Sequence, residues 1–355
     1  MRSLVRWFMY LMLLCGMARA EEVAFKVHNE SFRALLDTTQ QPILLYDKGI
    51  WLEGPQVLPN GNVVFSDVKA NKVLLLEVEN QIQHSKIRTW LKTSHFQNGH
   101  ALDTKGRLLA ATHGRRAIER LDKTGTTDKW EVLVNSYQNN KLNSPNDILV
   151  DSDGDIWFSD PRFGLLNPHE GYGGREEQGG DFLYHYSERT KTLIRLETPL
   201  LKAPNGLALS PDEKILYVAD SELAYNTNDK SLQHQILAYD IAPNKTLHNA
   251  RVFAVIHSGF PDGIKVDKKG NIWSSSGNGI QVFDSKGSMI GEILFPQVVS
   301  NFAFSLNDET LLALQKQGIQ VKQDHQTLLY VTSLSKLYVL TLKVQSGIKR
   351  KQTLE

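Results

Sequence analysis

The stretch at residues 141–164, KLNSPNDILVDSDGDIWFSDPRFG, decides how the rest of the chain is read. A polar pair, Asn146-Asp147, follows Pro145. Ile148-Leu149-Val150 reads as a short strand, Asp153-Gly154 as a tight turn that tolerates positive φ, and Ile156-Trp157-Phe158 as a second strand. The pattern recurs. Glu53-Gly54-Pro55 precedes QVLPNGNVVFSDV, Asn98-Gly99 precedes HALDTKGRLLAATHG, and Asn205-Gly206 precedes LALSPDEKILYVADS. Asp262-Gly263 precedes IKVDKKGNIWSSSGNG, and Asn301 precedes FAFSLNDETLLAL, a degenerate copy. The copies start at Gly54, Gly99, Asp147, Gly206, Gly263 and Phe302, at intervals of 45, 48, 59, 57 and 39 residues. Such a period, with several strands per unit, predicts the blades of an all-β propeller. A polar or acidic residue heads every copy, which strand repetition alone does not require.

Between the copies, ILLY at 43–46 reads as a strand, WEVLV at 130–134 as an outer strand of blade two, and LYVLTL at 337–342 as the strand that closes the sheet. Residues 162–181, RFGLLNPHEGYGGREEQGGD, are rich in glycine and charge and show no strand pattern. A loop of that length either covers a pocket mouth or is a solvated excursion. Its Tyr172, Arg175, Glu176 and Glu177 are candidates to meet substrate hydroxyls.

The 355 residues, 41% hydrophobic, suffice for one large domain, expected over residues 21–347, with a polar tail at 348–355. Arg2 and Arg6, the apolar run WFMYLMLLCG and Ala18-Arg19-Ala20 before Glu21 form a secretory-signal pattern. Residues 1–20 are therefore expected to be removed and the mature chain exported, periplasmic or secreted. The apolar run is short for a membrane span, so no stable anchor is expected after cleavage. The only cysteine, Cys15, lies in that run, which leaves the mature chain without a disulfide or a thiol nucleophile. Formal charge is +1, and −2 without the three arginines of the first 20 residues; nothing indicates a nucleic-acid partner. The sequence is silent on oligomeric state.

Residues heading the inner strands of a propeller converge at one end of its channel. Here they are Glu53, Asn98, Asn146, Asn205, Asp262 and Asn301. Two carboxylates so placed need a cation or a shared proton. An all-oxygen set without histidine or thiolate suits a hard cation such as Ca²⁺ or Mg²⁺. Asn-Gly and Asp-Gly are also ordinary turn formers, so each pair alone admits a structural reading; Glu53 does not.

Four motifs, Glu53-Gly-Pro, Ser144-Pro-Asn-Asp with Trp157-Phe-Ser-Asp-Pro, Ala203-Pro-Asn-Gly-Leu and Pro261-Asp-Gly, give the chain a resemblance to the SMP-30/gluconolactonase/LRE family over residues 50–342. The resemblance implies a six-bladed β-propeller holding one divalent metal ion, with Glu53, Asn205 and Asp262 as ligands. Asn146 matches a further asparagine near metal and substrate. Ca²⁺ is the ion expected first, with Mg²⁺, Mn²⁺ and Zn²⁺ left open. His113, in Thr112-His113-Gly114, resembles a segment of the bacterial gluconolactonase branch, although Thr112 stands where that branch often has an acid. Asn146, His113 and Asn98 are the expected substrate-binding residues and Asp262 the expected catalytic one. No G-x-S-x-G elbow supports a serine nucleophile, and Gly171-x-Gly173-Gly174 lacks the context of a phosphate loop. The leading expectation is a metal-dependent hydrolase of a small sugar lactone. The alternatives are a non-catalytic propeller that binds a sugar acid or a protein around a structural metal, and a hydrolase of other esters or organophosphates.

Overall fold

The computed structural model describes residues 22–122, 129–322 and 326–349. The expected signal segment, 1–20, and the last residues of the tail lie outside them. Among the described residues, six antiparallel sheets of four or five strands form the blades of a six-bladed β-propeller. The innermost strands, in order, are Leu52–Val57, Gln97–Leu102, Ile148–Val150, Pro204–Leu209, Ile264–Val266 and Val299–Phe304.

Local chemistry explains the repeat. Asp151 ends one inner strand and accepts hydrogen bonds from the N–H groups of Asp153 and Asp155, both at 3.0 Å, and from Trp157 Nε1 at 3.0 Å. Gly154 completes that turn at φ +89°. Asp267 repeats the arrangement with Lys269, Asn271 and Trp273. The aspartate thus makes a turn that would otherwise leave backbone donors unpaired. Second strands are buried on both faces. Phe158 packs with Leu109 and Ile118 of blade two, while its neighbour Trp157 packs with Leu216 and Val218 of blade four. A strand sandwiched between blades therefore reads as continuously apolar rather than alternating.

The ring closes differently from the expectation. Lys336–Leu342 is the third strand of blade six, not its last. The outermost strand is Ile43–Tyr46, paired antiparallel with it through Ile43↔Val339 and Leu44↔Tyr338. The N-terminal segment thereby locks the first blade to the last. The segment before it, which shows no clear sequence pattern, adds Ala24–Val27 as a fifth strand to blade five. It also buries Phe32 completely, in the cluster that joins blades five and six. The irregularity of blade six is a helix, Asp308–Lys316, capped by Asn307, whose side chain accepts from Thr310 N. Asn307 Nδ2 also donates to Ser346 O at 2.9 Å and Ile348 O at 2.7 Å, which pins the start of the polar tail.

Candidate functional site

The polar head residues are held at one channel end by bulges, by backing hydroxyls or, for Asn146, by its N–H donating to Ser159 O at 2.9 Å. Strand register shifts between Glu53 and Gln56, Gln97 and His100, Pro204 and Leu207, and Val299 and Asn301. Bulges of this kind re-aim side chains. Behind them stand the hydroxyls of the second strands. Ser159 Oγ accepts from Asp147 N at 3.0 Å, Ser275 Oγ from Asp262 N at 2.9 Å and Thr332 Oγ1 from Asn301 N at 3.1 Å.

The glycines that follow the head residues are not turn formers here. They let adjacent blades touch around the channel. A Cβ at Gly54, where φ is +48°, would lie 2.0 Å from Asn98 O. One at Gly206 would lie 2.2 Å from Asp262 O, which accepts from Gly206 N at 3.0 Å.

Glu53, Asn98, Asn146, Asn205 and Asp262, five of the residues expected at the site, line one cavity of about 390 Å³. Asn301 and His113 stand behind it. Glu53 is 2% exposed, and burial together with the charge of Asp262 holds its carboxyl well above the usual carboxylate range. Asp262 keeps part of its surface open to the cavity. Burial, then the charge of Asp147, pushes it up to about 7, while hydrogen bonds with Glu53 and Asn205 pull the other way. The two carboxylates thus crowd each other, as neighbouring anions do.

His113 is 1% exposed. Its Nδ1 lies 2.9 Å from Glu170 O, a carbonyl that can only accept, which places the proton on Nδ1. Nε2 is then an acceptor, 3.4 Å from the amide nitrogens of both Asn98 and Asn146. Burial pushes the imidazole down to about 4, so it is neutral near pH 7. Thr112, which replaces an acid, bonds the buried Glu119 at 2.7 Å and does not line the cavity.

Asp147 and Lys265 escaped the sequence reading as site residues. Lys265 Nζ lies 3.6 Å from Asp147 Oδ2 and 3.4 Å from Asn301 Oδ1. The signal was present: Asp147 occupies the place that glycine holds in the other clear copies. Residues 162–181 do cover the cavity mouth, through Phe163, Leu166, Asn167, Pro168 and Glu170. Tyr172 and Glu177, by contrast, anchor the loop. Tyr172 OH bonds His95 Nδ1 at 3.0 Å, and Glu177 pairs with Arg116 at 3.2 Å.

The residues present fit a divalent cation. Asn205 Oδ1 is buried without a hydrogen-bond partner, and Asp147 Oδ2 has only its long ion pair. Glu53, Asp147 and Asp262 against Lys265 leave a formal charge of two minus. A second group, Asp151, Asp155 and His185, brings ligand-type atoms within 4.8 Å of one another at the opposite end of blade three. Its Asp151 is already satisfied by Lys245 Nζ at 2.7 Å and by Trp157.

The SMP-30/Gluconolactonase/LRE-like region matches residues 51–316. The chain belongs to that family. A gluconolactonase from Zymomonas mobilis is 31% identical over 297 residues, covering 78% of this chain and 80% of the relative. Among solved structures, a gluconolactonase from Xanthomonas campestris superposes with a TM-score of 0.75 at 33% identity, covering 90% and 95% of the two chains. Regucalcin from Agrobacterium tumefaciens, described as a calcium-binding protein, shares the fold at 16% identity, TM-score 0.61 and coverage of 88% and 97%. The SMP-30/gluconolactonase/LRE-like match ends with the helix of blade six. The strands that complete and close that blade lie on either side of the matched region.

Proposed function

We propose that this chain hydrolyses lactones at the Glu53–Asp262 end of the channel, using a divalent cation, Ca²⁺ first among candidates. One observation carries the reading: two crowded carboxylates, Glu53 buried and Asp262 open to the cavity, beside an unpartnered Asn205 Oδ1, with a net formal charge opposite to that of one such ion. The lactonase and gluconolactonase names of the relatives agree with it. Glu53, Asn205 and Asp262 would hold the ion, with Asn146 beside them. A cation bound there supplies a positive charge that polarises the ester carbonyl.

The chain's own residues do the rest. Asp262, open on its cavity side, takes a proton from the attacking water. Oxygen adds to the carbonyl carbon, the ring C–O bond breaks, and the proton passes to the alkoxide, giving a hydroxy acid. Asn98 and Asn146 face the lactone from blades two and three, their amide nitrogens steadied by neutral His113. The N-terminal pattern supports export of the mature chain from Glu21, which sequencing of the native protein's N-terminus would check.

The deciding experiment is hydrolysis of a lactone panel, beginning with glucono-δ-lactone, followed by acid release with Ca²⁺ and with chelator. Ring opening that stops on chelation and returns with Ca²⁺ is expected. A protein that binds the ion but opens no lactone would make this a binding propeller.

A further inference from the structure

We propose that the preferred substrate is a lactone carrying an apolar arm, alkyl or aryl, rather than a ring studded with hydroxyls. The inference rests on the lactone-hydrolase reading and goes beyond it to the substrate class. The cavity has two unlike halves. Its floor is polar, formed by the carboxylates and amides already described. Its wall is apolar: Trp51, Phe163, Leu166, Pro168, Tyr225 and Phe260. Leu166, at the end of the short helix Phe163–Leu166, is 63% exposed, a leucine held in water at a cavity mouth. The rings of Phe163 and Tyr225 lie 5.0 Å apart and form a continuous apolar side.

The polar side-chain groups that Tyr225, Asn167 and Glu170 bring to the wall are already engaged. Tyr225 OH donates to Asp181 Oδ2 at 2.7 Å and accepts from Arg162 N at 3.2 Å. Asn167 Nδ2 donates to Glu170 Oε1 at 2.7 Å, and Asn167 Oδ1 accepts from His169 N at 3.0 Å. Glu170 is also paired with Lys69 Nζ at 3.4 Å. Hydroxyls on a bound ring that lie against these three residues would therefore lose water without gaining a partner. Each one so stranded costs about five- to a hundredfold in affinity. Each methylene laid on the wall instead gains about fourfold. The wall is preformed, because Arg162 grips Asp181 at 2.7 Å and Tyr172 is tied to His95.

The test uses the mature protein with saturating Ca²⁺ and the series δ-valerolactone, δ-hexalactone, δ-octalactone and δ-decalactone beside glucono-δ-lactone. kcat/KM should rise about threefold or more per methylene until the wall is covered, chiefly through KM, and exceed that for glucono-δ-lactone at least tenfold. Leu166→Ser and Phe260→Ser should each lower the ratio of δ-decalactone to δ-valerolactone kcat/KM about five- to thirtyfold. A second readout needs no turnover. Calorimetry with 6-pentylpiperidin-2-one, which the site cannot open, should show tighter binding than piperidin-2-one and a negative heat-capacity change, in Ca²⁺ and in chelator alike. A flat chain-length profile with glucono-δ-lactone preferred, or variants with an unchanged ratio, overturns the inference and leaves lactone hydrolysis standing. If no lactone is opened, the proposed activity falls, and the lactam pair still decides whether the wall takes an apolar arm.

Discussion

Replacing Glu53 with glutamine should move stability in opposite directions with and without the cation. Glu53 is 2% exposed and shares its space with Asp262 and Asp147. In chelator the ionised carboxylates repel one another. Two like charges about 4 Å apart cost about 4 kcal/mol at an effective dielectric constant near 20. Sharing a proton relieves most of that, which leaves about 1–2 kcal/mol for Glu53→Gln to recover. Glutamine also keeps an oxygen for Gly54 N, which donates to Glu53 Oε2 at 3.1 Å. The variant should therefore melt a few degrees above wild type in chelator. Calcium reverses the order. An ion at a hundred times its Kd stabilises wild type by about 2.7 kcal/mol. A site weakened about a hundredfold retains only about 0.4 kcal/mol at the same concentration. Thermal melts of both proteins, in chelator and across a Ca²⁺ titration, should thus cross. If Glu53→Gln melts below wild type in chelator, Glu53 is a structural acceptor. If the two respond equally to Ca²⁺, it is not a ligand. Either result refutes the reasoning.

Three further expectations follow from particular side chains. Asp262→Asn, assayed by lactone hydrolysis at metal concentrations that saturate both proteins, should lose about 10²–10⁴-fold in kcat, the usual worth of a general base; equal rates would make Asp262 a ligand alone. Asp160 is pushed by burial up to about 8 from its ordinary 3.8, so folding favours its protonated form. Its contribution to stability is complete below pH about 4 and is lost as pH rises through about 8; melts of Asp160→Asn should therefore be flatter between pH 5 and 8 than those of wild type, and parallel curves would reject the assignment. Phe32→Ala should cost about 3–5 kcal/mol in urea unfolding, because Phe32 is fully buried against Gly291 in the cluster that joins blades five and six; a change under 1 kcal/mol would mean the N-terminal segment is not part of that core.

Much of the fold was legible because the repeat repeats its chemistry. Hairpins nucleated by Asp103, Asp151 and Asp267 each pair side-chain oxygen with the next backbone donors, and that requirement leaves D-x-x-G in the sequence. The head residues were legible because they recur at one position. What escaped lacks such a signature. Ile43–Tyr46 pairs across the whole length of the chain with Lys336–Leu342, and no local pattern announces a partner so distant. Asp308–Lys316 carries Leu311, Ala313 and Leu314 at spacings that a worn strand copy also shows, and its cap, Asn307, reads equally as a turn residue. Lys265 lies inside a strand triplet, Ile264–Val266, where its charge looks like an outward residue; only the ring geometry turns it toward Asp147.

The site's function comes from departures from its own symmetry. Six equivalent positions filled by asparagine would make a neutral ring. This chain places carboxylates in blades one and five, at Glu53 and Asp262, and a third where blade three should have glycine, at Asp147. Lys265 neutralises that third carboxylate from blade five, so the uncompensated charge stays with Glu53 and Asp262. Blades two and three present Asn98 and Asn146, whose amide nitrogens are both turned toward one neutral imidazole. The channel end is therefore charged on one side and neutral on the other. Under the proposed reaction, an ester lying across that boundary would meet the charged side with its carbonyl and the amides with its ring. His113 also joins this floor to the covering loop through Glu170 O, so the segment that carries the apolar wall is tied to the residues that would orient the ring in the proposed reaction. Moving that loop would disturb the Asn98 and Asn146 amides, and a reaction that depends on their alignment is best served by a wall that stays in place.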